Sequence, residues 1–150
     1  MRALIRRVSS AEVQVDCRTV GSIGKGALVY LGIHREDEQT DLDWITKKIL
    51  GLRIFEDENG KMNLKIAQDG GILLVSQFTL CGNLNKGYRP SFNYAADSQK
   101  GQFFYNLALN KLKKNFSGDV EAGIFGADMQ INAIDDGPVT IWLDSKNRTY

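Results

Sequence analysis

GGILLVSQFTLCG, residues 70–82, is an apolar run that ends abruptly in polar side chains able to take part in a reaction. Ile72, Leu73, Leu74 and Val75 are too few for a helix and too apolar for a strand with one wet face, and Gly70-Gly71 marks a turn before them. The run predicts a strand buried on both faces. Ser76, Gln77 and Thr79 follow where that strand must leave the core and its backbone N–H groups stop pairing. Such an end can hold an anion or a carbonyl oxygen. It can equally do no more than cap a turn.

Upstream of this strand, Met1–Val8 alternates, with Ala3, Ile5 and Arg7 on one face, so one arginine shares a face with apolar neighbours. Glu12–Asp16 and Thr19–Ile23 flank a turn at Cys17-Arg18, and Gly24-Lys25-Gly26 leads into ALVYLGI, a β-meander signal. Those glycines fit turns better than a phosphate loop, because Lys25 is not followed by Ser or Thr and no helix opens there. Between Asp37 and Leu52 the period becomes helical, with Leu42, Ile45, Ile49 and Leu52 on one face. Ile54-Phe55 and Met62–Ile66 form a hairpin around DENG at 57–60.

Downstream, residues 82–92 (GNLNKGYRPSF) read as a loop carrying Lys86, Tyr88 and Arg89, either plainly solvated or able to grip a phosphate or a base. A second helix spans Asp97–Phe116, with Phe104, Ala108, Leu112 and Phe116 in one row and Phe103 and Leu107 beside it as core. Val120–Phe125, Met129–Ile134 and Val139–Leu143 read as strands, the last two joined by a turn at DDGP, 135–138. The inventory of about nine strands and two helices predicts an α+β fold, a mainly antiparallel curled or barrel-like sheet with two covering helices.

Length and composition narrow the class. With 150 residues, 43% hydrophobic and 25% charged, the chain reads as one domain, 1–150, with an ordinary globular composition. No apolar run approaches the roughly 20 residues of a membrane span, and the first residues lack the apolar block of a signal peptide, so a cytoplasmic location without membrane contact is expected. Cys17 and Cys81 have no CxxC spacing and read as small buried or half-buried side chains. The single histidine, His34, sits in a polar stretch and reads as solvent-exposed, so neither a multi-histidine metal site nor a Ser-His-Asp triad is supported. No metal or cofactor is expected. Net charge is +1, which argues against coating nucleic acid by bulk attraction but leaves room for a local basic patch.

SQFTL at 76–80 and GPVT at 137–140, with MRALIRRV at the N-terminus, KILGLRIFED at 48–57, KGYRPSF at 86–92 and FGADMQ at 125–130, resemble the D-aminoacyl-tRNA deacylase family over essentially the whole chain. The resemblance implies a homodimer with active sites at the subunit interface, hydrolysing the ester that joins a D-amino acid, or glycine, to the terminal adenosine of tRNA. Ser76, Gln77, Phe78 and Thr79 match the segment lining the pocket for the adenosine and ester; Phe125 and Met129 match its adenine wall. Gly137 and Pro138 match a Gly-cisPro element inserted from one subunit into the other's site to reject L-amino acids, and Arg7 an arginine that holds it. Lys86 and Arg89 are the expected tRNA contacts.

An aminoacyl ester is already activated, so its hydrolysis needs positioning, a water and oxyanion stabilisation, which the backbone N–H groups of Phe78 and Thr79 could supply. Either Thr79 is the nucleophile or, as we favour, the substrate's own 2′-hydroxyl assists. Asp135 stands where the family usually has Asn and Arg6 where Gln is frequent; the Asp135 change removes an amide donor near the gate, either altering its hydrogen bonding or adding negative charge near an incoming ammonium, and leaves an achiral-substrate or relaxed-selectivity variant open. Two rivals differ in one feature each: a DNA-binding relative with an added C-terminal tail, whereas this chain ends after SKNRTY, and a deacylase with a trans Gly-Pro that acts on certain L-aminoacyl-tRNAs.

Overall fold

The alternation that begins at the N-terminus does not stop at Val8. In the computed structural model, which describes residues 1–149, one strand, β1, runs Arg2–Val15. Side chains of one core cluster come from Val8, then Ala11 and Val13, so the inward-facing parity changes once along the strand. The change coincides with register shifts near Ser9, a bulge where two separate strands were expected. β1 pairs antiparallel with β2 (Arg18–Ile23) through its second half and with β3 (Gly26–Gly32) through its first.

After β3 come helix α1 (Gln39–Gly51), the β4–β5 hairpin (Phe55–Glu56 and Met62–Leu64) and then β6 (Gly71–Ser76). Helix α2 (Ser98–Asn115) leads to β7 (Asp119–Ala122), and β8 (Gln130–Asp144) closes the order. The main sheet runs β2-β1-β3-β6-β7, with β8 on the other edge of β1. β6 pairs parallel with both β3 and β7, while every other strand pairing among the described residues is antiparallel, so the sheet is mainly antiparallel and curled as expected, with a parallel stretch around β6. The two helices lie in the crossovers that parallel pairing requires. The sheet also curls: a Cβ on Gly21 of β2 would lie 2.9 Å from the Ala122 carbonyl oxygen of β7.

β6 is buried on both faces, as its apolar run predicts. Ile72 and Leu74 join Ala3, Ile5 and Val29 under Leu42, Ile45 and Ile49 of α1 and Phe104, Ala108 and Leu112 of α2. Leu73 and Val75 face the inside of the curl with Val8, Val13 and Leu28. Each such fully buried aliphatic side chain contributes about 1.5–3 kcal/mol, so this strand is fixed from both sides. Phe103, expected in the core, is 58% exposed because it lies about 100° around the helix from Phe104. Cys17 is exposed, on a turn residue of positive φ, while Cys81 is buried. His34 is half-buried and stacks on Tyr94 with ring centroids 5.6 Å apart, rather than lying free in solvent.

DDGP at 135–138 is not a turn between two strands. β8 passes through it, with Thr140 opposite Arg6 and Asp135 opposite Val8, so the four residues 136–139 face the single residue Arg7. The surplus pushes the backbone out of the ladder, which is where a proline without an N–H can sit inside a strand. Among the described residues, no helix is long and apolar enough to cross a membrane.

Candidate active site

Parallel pairing brings the C-terminal ends of β3, β6 and β7 to one edge of the sheet, the edge at which such sheets form ligand crevices. The last ladder bond of β6 is donated by Gln77 N to Leu31 O at 2.8 Å. The chain then makes a tight helical turn, Phe78–Cys81, held by Gly82 N donating to Thr79 O and by the Arg2 guanidinium donating to Leu80 O at 2.8 Å. The first N–H groups of such a turn have no partner within it.

Beside this turn lies a cavity of about 670 Å³ between the end of β6, the first turn of α2 and the segment after β7. That volume suits a small-molecule-sized group. Ser76, Gln77, Phe78, Phe125 and Met129 all line it, so these five expected site residues are brought together. Phe78 is 58% exposed and meets Phe92 edge-on at 5.0 Å; Phe125 leans on Tyr105 at 5.7 Å. The result is an aromatic-lined slot that also carries the polar side chains of Ser76 and Gln77, a lining that suits a heterocycle with a polar substituent.

Three supports of the slot escape the sequence reading. Phe92 forms one wall, while Gly101, inside α2, leaves room for another: a Cβ there would lie 3.0 Å from Phe125 Cζ. A glycine inside a helix costs about 1 kcal/mol, which is the signal that could have marked it. The hydroxyl of Tyr105 donates to Leu74 O at 2.8 Å and lies 3.2 Å from Gly123 O, tying α2 to the exits of β6 and β7. Burial pushes this phenol far above its ordinary pKa, so it stays protonated and a donor.

Thr79 is exposed beside the cavity, and its Oγ1 accepts a hydrogen bond from Gln77 Nε2. Among the described lining residues the one carboxylate is Asp97, whose Oδ1 accepts from Lys100 N at 2.8 Å as the cap of α2. Among the described residues, no three His, Cys, Asp or Glu side chains converge as a metal site requires. Lys86 and Arg89 are exposed on a loop closed at its base by reciprocal Asn83 and Ser91 backbone bonds of 2.8 and 2.9 Å. That loop leads from the tight turn to Phe92, so it borders the cavity without lining it.

Gly137, Pro138 and Arg7 lie elsewhere in the same chain. Ser76 is level with Leu31 and Ala3, four residues along β1 from Arg7, and β8 is three strand spacings from β6. At about 3.4 Å per residue and 4.8 Å per strand, the protrusion is roughly 20 Å along the sheet from the strand end. The Gly137-Pro138 bond is cis, and Gly137 has φ +122°. Both residues are exposed, whereas Arg7 beneath them is only 5% exposed. Its Nε donates to Asp136 O at 3.0 Å and lies 3.2 Å from Asp136 Oδ2; Nη1 donates to Ile54 O at 2.7 Å.

Asp135 does not leave a free negative charge beside this protrusion, as its sequence suggests. Arg6 grips it with two parallel bonds, Nε to Oδ1 at 2.8 Å and Nη2 to Oδ2 at 2.7 Å. The bond from Arg6 holds the Asp135 carboxyl below its ordinary range. The two charges therefore compensate one another.

The fold and this geometry can be set beside known proteins. A family model described as D-Tyr-tRNA(Tyr) deacylase matches residues 4–144. The D-aminoacyl-tRNA deacylase of Kosmotoga olearia is 49% identical over 149 residues, covering 99% of each chain. That of Geobacter sulfurreducens is 48% identical over 150 residues, covering 99% of this chain and 98% of its own. Among solved structures, a c-Myc DNA Unwinding Element Binding Protein superposes with a TM-score of 0.90 at 41% identity, over 96% of this chain and 98% of that one. A probable eukaryotic D-amino acid tRNA deacylase superposes with a TM-score of 0.78 at 18% identity, a likeness of fold.

Proposed function

Because the chain belongs to the D-aminoacyl-tRNA deacylase family and so hydrolyses D-aminoacyl-tRNA, we propose that the reaction takes place at the end of β6, in the cavity lined by Ser76, Gln77, Phe78, Phe125 and Met129. The observation that carries this is the aromatic slot placed directly against the turn in which backbone N–H groups come free. The terminal adenine enters between Phe78, Phe125 and Met129. The ester carbonyl faces the N–H groups of Phe78 and Thr79, which stabilise the tetrahedral oxyanion as water attacks. Water forms the new C–O bond, the 3′-oxygen leaves with a proton, and a free amino acid and tRNA result. Lys86 and Arg89, on the bordering loop, meet tRNA phosphates.

Selection of the D-form is the role of Gly137 and Pro138, acting in a homodimer. Their exposure, and their distance from Ser76 in the same chain, support delivery into the site of a second subunit. A rigid backbone element facing the substrate Cα rejects an L-side chain whatever its chemistry, and passes glycine, which has none. Glycyl-tRNA is therefore a further substrate, and the cytoplasm, where aminoacyl-tRNA is used, is the place of action.

Delivery in trans is tested with mixed dimers of two variants. Gly101→Leu fills the slot beside Phe125; Gly137→Ala puts a Cβ 2.9 Å from Arg7 Nη2 at a φ that L-residues rarely adopt. A dimer holding one of each, isolated by two tags, has one open slot, served by the intact gate of the Gly101→Leu subunit. It should release D-tyrosine from D-tyrosyl-tRNA at about half the wild-type rate and spare the L-ester. If the gate acts within its own chain, the open slot carries the altered gate and the L-ester is hydrolysed as well.

A further inference from the structure

Two consecutive arginines of β1 hold two consecutive aspartates of β8, one pair on each face of the sheet. Arg7, on the face that carries Ala3 and Ile5, takes Asp136; Arg6, on the opposite face, takes Asp135 through a two-bond fork and reaches Tyr30 Oη of β3 at 3.4 Å. The protruding residues 136–139 begin immediately after the fork. We infer that the Arg6–Asp135 pair is a second anchor of the gate, a pair of positioning residues that sets how strictly L-aminoacyl esters are rejected. The inference rests on Gly137 and Pro138 being the gate.

The physical reason is directional. Arg7 alone fixes residue 136 from one face and leaves the segment free to rock about that attachment toward the other face. A planar guanidinium joined to a carboxylate by two parallel bonds resists that rotation, as one bond or a lysine ammonium would not. Tyr30 supports the guanidinium from the next strand, so the fork is tied to β3 as well as to β1. Side chains 25% and 36% exposed contribute little to global stability, so loss of the pair should appear in selectivity rather than in melting.

The test compares Arg6→Gln, Asp135→Asn, Arg6→Lys and the double variant Arg6→Gln/Asp135→Asn, measuring kcat/KM on D-tyrosyl- and L-tyrosyl-tRNA together with Tm. Each single variant should raise the L-to-D ratio about tenfold, the double should return part of the way because two amides can bond one another, and Tm should stay within about 3 °C. Arg6→Lys should behave as Arg6→Gln does, since it keeps the charge and loses the fork. Single variants with an unchanged ratio, whether Tm holds or falls, would overturn the inference while leaving the gate in place. A double variant no more selective than the product of the singles would overturn it too. A wild type that does not discriminate D from L would overturn the gate itself, and this inference with it.

Discussion

D-tyrosyl-tRNA whose terminal adenosine carries hydrogen in place of the 2′-hydroxyl should be hydrolysed at least about a hundredfold more slowly than the natural substrate, while Thr79→Ala keeps its rate within about threefold. The reason lies in what surrounds Thr79. Its hydroxyl is exposed and already accepts a bond from Gln77 Nε2. The one carboxylate among the described lining residues is occupied as a helix cap. A threonine without a base is a poor nucleophile, whereas a vicinal hydroxyl travels with the ester and needs no positioning by the protein. Single-turnover release from the 2′-deoxy and natural esters, with both enzymes, separates the two mechanisms. Full loss in Thr79→Ala with an unaffected 2′-deoxy ester would assign the nucleophile to Thr79.

Arg7→Ala is expected to lower Tm by roughly 10 °C and to let L-tyrosyl-tRNA be hydrolysed. Arg7 is buried, and its guanidinium is shared between Ile54 O, Asp136 O and the Asp136 carboxylate, with Glu56 at 3.7 Å. Truncation leaves two carbonyls and a carboxylate without that donor, a loss of about 3 kcal/mol, which in a chain of this size corresponds to the stated shift in Tm. It also frees the segment that carries Gly137 and Pro138. Arg7→Lys should recover part of the stability but not the bond to both Ile54 and Asp136 at once. Thermal melting and L-ester release measure both consequences; a variant with Tm within about 2 °C and the L-ester still spared would remove Arg7 from this role.

The strand end was legible because Ile72–Val75 is apolar on both parities, which only a strand covered twice can accommodate, and because it stops sharply at Ser76. The direction of its neighbours was not. A strand buried on both faces carries the same pattern beside parallel or antiparallel partners, so the crevice at the parallel ends could not be located from periodicity. Ser9-Ser10 and DDGP have turn compositions, yet each is absorbed into a long strand as a bulge, because the ladder on both sides outweighs local preference. Alternation put Arg7 on the face of Ala3 and Ile5 and so Arg6 on the other, but it did not pair either with an acid. Which aspartate each meets depends on cross-strand register, fixed only once β8 is laid against β1. Gly101 carried a signal in its cost to the helix, but nothing in sequence tied it to Phe125, 24 residues later.

The most direct measurement is release of amino acid from matched D-tyrosyl-, glycyl- and L-tyrosyl-tRNA by the purified wild-type protein, freed of other deacylases. Rapid release from the D- and glycyl esters with the L-ester left intact is the predicted result. Equal release from all three would contradict a gate that reads the Cα. Binding of tRNA or DNA with no ester hydrolysed would contradict the placement of the reaction at the end of β6.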